Sequence, residues 1–174
     1  MSRSKIIVED VKVSGFHVKG SCPWEFTGPA SLEFYVRRVL KSGEEIRAVL
    51  AITIEPGYFT DGASTFWPIS LLVPKWKKGD DIYNAAPVGH DILYMFQGVV
   101  PDISSPNEPV LLSREEVDDI LRGTWRIAGM SRFLAGCADK GVEVFAGSSR
   151  HWGNDSYGVA DKVSLSWTPL SEVA

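Results

Sequence analysis

One stretch decides how the rest of the chain is organised: SREEVDDILRGTWRIA, residues 113–128. Ser113 is a favoured N-cap and Glu116 follows three residues later, which is the capping-box pattern that marks a helix start. An apolar stripe continues from this start, formed by Val117, Ile120, Leu121, Thr124 and Ala128. The stretch therefore predicts an amphipathic helix that carries two adjacent acids, Asp118 and Asp119.

A second helix is predicted before this one, from about Ile82 past Tyr94, with Gly98 as its stop. Pro87 is tolerable only in the first turn of such a helix. At 3.6 residues per turn, His90 and Tyr94 lie one above the other, and Asp91 points about 100° away from His90. If the two helices pack antiparallel, Asp118 meets the His90 ring.

The first third of the chain has the alternation and β-branched composition of strands. Further along, prolines and glycines mark irregular segments. We predict strands at Ile6–Val13, Leu32–Leu40, Arg47–Glu55 and Val163–Trp167, a turn at 41–44, loops or connectors at 20–29, 58–79, 99–112 and 147–158, and a third helix at Phe133–Phe145.

These elements predict an α+β fold in a single domain, 1–174. Residues 1–56 form a β-rich part, residues 57–158 a loop and helical part with the candidate site, and residues 159–174 a C-terminal strand and tail.

Composition narrows the function classes. The 174 residues are 44% hydrophobic and carry a net charge of −4, without a basic stripe for nucleic acid. No apolar run has the length of a transmembrane segment, and the N-terminus does not resemble a signal peptide. We therefore expect a protein that is cytoplasmic at synthesis, with later packaging into a larger particle left open. Cys22 and Cys137 are expected to be free, buried thiols, with one disulfide as the alternative.

Three short polar segments carry the chemistry: Thr60-Asp61-Gly62-Ala63-Ser64, His90-Asp91-Ile92-Leu93-Tyr94 and Val117-Asp118-Asp119-Ile120-Leu121. A carboxylate on one imidazole nitrogen would leave the other nitrogen to take a proton from water. Asp61, Asp91 and the Gly62 carbonyl offer oxygen ligands, which suit calcium or magnesium rather than zinc. The alternative for Asp61 is a simple Asp-Gly turn, in which the carboxylate caps the backbone.

Other mechanisms fit less well. A metal-dependent phosphohydrolase with several ordered histidines is disfavoured, because only His17 precedes His90, and a zinc peptidase lacks its motif. Ser64 is expected to bond the loop backbone rather than act as a nucleophile. One group of aromatic and basic side chains suits a lipid interface or, alternatively, buried anchors beside solvated lysines: Phe66, Trp67, Lys75, Trp76, Lys77 and Lys78.

The three segments together resemble a phage and bacterial family of unknown function, numbered 1353, in which a TD-x-AS segment precedes HD-x-LY and an Arg-led helix with an Asp. The matching stretches are 60–64, 90–94 and Arg114 with Asp118, within about residues 55–153. The pattern is also similar to prokaryotic phospholipase A2, with its TD loop, its HD-x-x-Y helix and a second helix bearing an Asp.

The resemblance to phospholipase A2 implies a role for each matching residue. Asp61, the Gly62 carbonyl and Asp91 would bind Ca2+; His90 would be the general base, Asp118 its orienter and Tyr94 a support for both. Secreted phospholipases pin the two helices with cysteines, whereas this chain has Ala86 near one such position and none in the second helix. Asp119 beside Asp118 leaves the assignment open by one residue.

Two functions follow as hypotheses. The first is a calcium-dependent hydrolase of lipid or ester bonds, with a His-Asp dyad that activates water. The second is a phage virion or tail protein, structural or accessory, that keeps the site without catalysis. The partners would be a lipid interface or phage structural proteins, respectively.

Overall fold

The computed structural model describes residues 3–62, 73–136, 152–153, 155 and 157–170. This part of the chain is a mixed α+β structure with antiparallel sheets. Its strands are β1 (Lys5–Ser14), β2 (Val18–Gly20), β3 (Trp24–Phe26), β4 (Ala30–Val39), β5 (Glu45–Ile54), β6 (Phe59–Thr60), β7 (Val99–Val100), β8 (Val110–Leu111) and β9 (Val163–Pro169). Its helices include α1 (Asp81–Met95), α2 (Arg114–Ile127) and a 3-10 turn at Ala160–Lys162.

The main sheet has the strand order β1-β4-β5-β9, and every pair in it is antiparallel. Its strands alternate between buried and more exposed residues, as a sheet with one covered face requires. The buried face on β4 and β5 consists of Ala30, Leu32, Phe34, Val36, Ala48, Leu50, Ile52 and Ile54. The predicted strands are confirmed, and the tail returns to the sheet as β9.

Both long helices lie against this buried face. A Cβ added to Gly89 of α1 would come within 2.7 Å of the Phe34 ring, and one added to Gly123 of α2 within 2.7 Å of Val8. Glycine at these two positions lets each helix approach its strand closely. The two helices run antiparallel, since Tyr83 contacts Trp125 near one end of the pair and Tyr94 bonds Asp118 near the other.

Several local predictions need correction. The segment 20–29 was expected to be a loop, but it holds β3 and pairs with β2 and β6. The connector 99–112 contains the β7–β8 pair. Pro87 lies in the second turn of α1, not the first, and the helix continues because residues 83–90 are buried on all sides. Strands as short as β3, β7 and β8 show no alternation that a sequence pattern could detect.

The third predicted helix, 133–145, is helical at residues 132–136 and otherwise lies outside the described residues. The predicted loop 147–158 also lies largely outside them. Cys22 is a free cysteine, as expected, but it is exposed rather than buried, and Cys137 is not among the described residues. No helix in the described part of the chain is long and apolar enough to cross a bilayer.

Candidate functional site

Helix α1 places His90 and Tyr94 on one buried face. Its N-cap is Asp80, whose carboxylate accepts the Tyr83 amide at 3.0 Å. It ends where Gly98 takes a φ of 68° and its amide reaches the Leu93 carbonyl at 2.8 Å. Between these ends the regular helix stacks the two rings one turn apart, with centroids separated by 4.2 Å.

Helix α2 is fastened to the main sheet by two acids. Glu116 completes the predicted capping box with Ser113, and its buried carboxylate also binds Arg38 of β4 at 2.8 and 3.1 Å. Asp119 accepts the Ile6 amide of β1 at 3.1 Å and pairs with Arg3 and Arg122.

These contacts fix the rotation of α2 about its axis. The same rotation sets the direction of the Asp118 side chain. Asp118 lies about 100° from Asp119 around the helix axis and therefore faces α1 instead of β1. The acid that meets His90 is therefore Asp118 and not Asp119. Arg122, which lies one turn from Asp118 on α2, pairs with Asp119.

The structure brings together His90, Asp118 and Tyr94. Nε2 of His90 lies 3.0 Å from Oδ1 of Asp118, and the Tyr94 hydroxyl donates to the same oxygen at 2.8 Å. The Asp118 side chain is 15% exposed and His90 only 6%, so water competes little for these bonds. One carboxylate oxygen thus holds both the imidazole and the phenol.

Asp91 occupies the other side of the imidazole. Its Oδ1 lies 3.3 Å from Nδ1 of His90, and its side chain is 38% exposed. His90 therefore stands between two carboxylates, one enclosed between the helices and one open to solvent. The nitrogen that would receive a proton from water is the one beside Asp91.

The charges of the site reinforce one another. Burial acts to lower the pKa of His90, but the hydrogen bonds to Asp118 and Asp91 outweigh it and raise the pKa to about 9. Burial acts to raise the pKa of Asp118, but the bond and charge of His90, the Tyr94 hydroxyl and the charge of Arg114 lower it overall. These bonds and charges favour an imidazolium that faces a carboxylate.

Asp61 and Asp91 both act electrostatically on a buried phenol, that of Tyr58. The pKa of Tyr58 is raised well above its usual value, first by burial and then by the negative charges of Asp91, Asp155 and Asp61. The pKa of Tyr157 is also raised, by burial and then by charges that include Asp61 and Asp91. The two predicted carboxylate ligands therefore act on the same small region.

Gly62 has a structural role of its own. Its φ is 68°, its amide donates to the Thr60 hydroxyl at 3.1 Å, and a Cβ here would lie 2.2 Å from the Lys75 carbonyl oxygen. Only glycine fits this turn, whether or not its carbonyl binds a cation.

The described residues suit a hard cation in donor type, but they supply few ligands. Among them, no group of three or more His, Cys, Asp or Glu side chains is placed to hold a metal ion. Two carboxylates, Asp61 and Asp91, together with backbone carbonyls and water, would be the available donors for Ca2+. The calcium site stays a prediction.

Residues that are remote in the sequence also contribute to the site. Trp152 packs edge-on to Tyr94 at 4.9 Å, and the adjacent Gly153 amide donates to the Tyr94 carbonyl at 2.8 Å. The buried phenol of Tyr58 and the Arg38 anchor were not predicted from the sequence. None of these contacts has a local pattern, because each partner is remote in the sequence.

The aromatic and basic segment before α1 is described only in part, since Ser64, Phe66 and Trp67 lie outside the described residues. Trp76 stacks on Trp24 at 5.0 Å and on Phe16 at 5.7 Å, which agrees with the buried-anchor alternative. Lys77 pairs with the N-cap Asp80 at 2.6 Å.

Comparisons of the chain with models of protein families, with curated proteins and with solved structures found no match. The site must therefore be interpreted from its own residues.

Proposed function

We propose that this protein is a hydrolase of ester bonds, including those of lipids, in which His90 oriented by Asp118 activates a water molecule. The observation that carries the proposal is the shared oxygen of Asp118, which accepts from His90 at 3.0 Å and from Tyr94 at 2.8 Å. A carboxylate held in this way fixes the imidazole tautomer and leaves Nδ1 as the basic nitrogen.

The proposed base needs a neutral imidazole, whereas Asp91 and Asp118 together favour the imidazolium. A bound calcium ion would neutralise Asp91 and polarise the ester carbonyl. Asp61, Asp91 and the Gly62 carbonyl are the proposed ligands. His90 would then take a proton from the attacking water at Nδ1 and return it to the leaving alkoxide, while Asp118 stabilises the charged ring.

Asp118 and Tyr94 have distinct roles in this proposal. Asp118 keeps Nε2 of His90 protonated, so that proton transfer occurs at Nδ1. Tyr94, which is 4% exposed, donates to the same carboxylate oxygen and would help to keep water from replacing the imidazole. Both act on His90, and His90 alone meets the attacking water.

Calorimetric calcium titration tests the cation site. We expect the wild type to bind calcium and Asp91→Asn to lose that binding, because the substitution removes one of two carboxylate ligands. Asp161→Asn is the matched control, since Asp161 is 73% exposed and bonded only to its neighbour Lys162 among the described contacts. An absence of binding heat in the wild type would contradict the calcium-dependent form of the proposal.

Hydrolysis of a short-chain ester and of phospholipid vesicles tests the chemistry. We expect His90→Ala to lose turnover by about 10²-fold or more, while His17→Ala, which alters an exposed histidine, retains it. If the wild type binds calcium but hydrolyses neither substrate, the phage structural or accessory role becomes the better hypothesis.

A further inference from the structure

Arg114 has an unusual position for a cation. It is the first residue of α2, where the partial positive charge of the helix N-terminus disfavours another positive charge. The two residues that follow it, Glu115 and Glu116, have the sign that the helix end prefers. The positive charge of Arg114 is therefore locally unfavourable, and other contacts of this side chain must compensate for it.

The surroundings of Arg114 supply that role. Its guanidinium carbon lies 5.6 Å from the centroid of the Tyr94 ring, a cation–π distance. The same ring contacts His90 at 4.2 Å and Trp152 at 4.9 Å. Tyr94 is thus enclosed by an imidazole, an indole and a guanidinium, and its hydroxyl is directed to Asp118.

We propose that Arg114 is a positioning residue of the site, which holds the Tyr94 ring and the Asp118 carboxylate in the arrangement that orients His90. The inference rests on the proposed function for its catalytic meaning. The proposed network consists of Arg114, Tyr94, Asp118 and His90. Arg114 acts on His90 through Tyr94 and Asp118 and does not touch the reacting atoms.

Electrostatics agrees with this geometry. The positive charge of Arg114 contributes to the lowered pKa of Asp118, and it opposes the rise in the pKa of Tyr94 that burial and Asp118 cause. Arg114 and Asp118 are one turn apart on α2, so the helix itself keeps the charge near the carboxylate. Both described α1 donors, His90 and Tyr94, reach Oδ1 of Asp118 in the presence of this charge.

Arginine differs from lysine in a way that sharpens the test. A planar guanidinium stacks on an aromatic ring, whereas an ammonium is a compact, strongly hydrated charge. Arg114→Lys should therefore keep the charge near Asp118 but weaken the contact with the ring. Arg114→Gln should remove both.

The experiment measures the carboxyl ¹³C shift of Asp118 against pH in the absence of substrate, for wild type, Arg114→Gln and Arg114→Lys. The groups that face this carboxylate are His90 and Tyr94 from α1 and Arg114 and Glu115 from α2. We expect the Asp118 midpoint to move upward in Arg114→Gln and to stay near the wild-type value in Arg114→Lys. Arg122→Gln is the control, because Arg122 pairs with Asp119 on the other side of α2.

Hydrolysis provides the second measurement. We expect kcat/KM to fall by about tenfold in Arg114→Gln, as for removal of groups that orient a reactive residue. Lysine should recover part of the rate. Thermal unfolding of each variant confirms that it is folded.

An Asp118 midpoint that is equal in wild type and Arg114→Gln would overturn the inference and make Arg114 an ordinary surface charge. The titration needs no turnover, so the two proposals fail separately. If the midpoint moves but no ester is hydrolysed, the network stands and the hydrolase does not.

Discussion

Two neighbouring acids on α2 should have separable effects when each is replaced by asparagine. Asp118 faces His90 and Tyr94, whereas Asp119 faces β1 and is bonded to Ile6 and Arg3. We expect Asp118→Asn to lose activity with modest loss of stability, and Asp119→Asn to lose stability with activity largely retained.

The contacts set the size of each effect. Asp119 is 8% exposed and accepts one backbone amide and two arginines, but Arg3 is 50% exposed, so the cost is below the 3–5 kcal/mol of a fully buried pair. We expect about 2–3 kcal/mol for Asp119→Asn, since the amide oxygen can still accept from Ile6. Asp118→Asn keeps an oxygen that can accept from both His90 and Tyr94 but removes the negative charge, and it should cost about 1–2 kcal/mol.

Urea unfolding at pH 7 measures the free energies, and a thermal scan should show a fall of about 4–12 °C for Asp119→Asn. Ester hydrolysis measures the effect on activity. Asp118→Asn should reduce kcat/KM by about 10²-fold or more, because His90 loses its orienting charge. The reasoning would be refuted if Asp119→Asn abolished hydrolysis in folded protein while Asp118→Asn remained active.

Three further predictions concern the frame around the site. Gly89→Ala should destabilise the protein by about 1–3 kcal/mol in urea unfolding, because the new methyl would lie 2.7 Å from Phe34; Gly28→Ala, where a Cβ meets nothing within 4 Å, should be neutral. Glu116→Gln should cost about 3–5 kcal/mol by the same measurement, since it breaks a buried ion pair to β4, and an unchanged midpoint would contradict the anchoring role. Burial acts to raise the pKa of Asp80, but hydrogen bonds from a lysine and a backbone amide outweigh this effect, so the pKa is lowered. Its contribution is therefore present above its unfolded pKa of about 3.8 and is lost as pH falls through the lowered folded value. Asp80→Asn should flatten the dependence of unfolding free energy on pH in that acid range, and an unaltered slope would count against it.

The sequence was most informative where the pattern was local. Strands β4 and β5 alternate over most of their ten residues, and the capping box of α2 lies within four consecutive positions. The spacing of His90 and Tyr94 on one helix likewise predicts their contact. These features depend on backbone periodicity, which the order of residues contains directly.

The other contacts of the site depend on which helices and strands pack against each other. Whether Asp118 or Asp119 faces α1 depends on the side from which β1 packs, and that contact joins residues more than a hundred positions apart. Glu116 could be predicted as a cap, but not as the partner of Arg38 on β4. The edge-on contact of Trp152 with Tyr94 joins residues that are far apart in the sequence. Such contacts are properties of tertiary packing.

The pairing of β5 with β9 has a consequence for how the molecule folds. Ile54 lies opposite Val163, so this ladder closes a loop of more than a hundred residues that contains both α1 and α2. Closing so long a loop is entropically unfavourable and slows folding relative to local pairing. We expect the β4–β5 hairpin to form first and the docking of β9 to limit the refolding rate. Burial of Trp167 on β9 would give that late step a fluorescence change by which its kinetics could be followed.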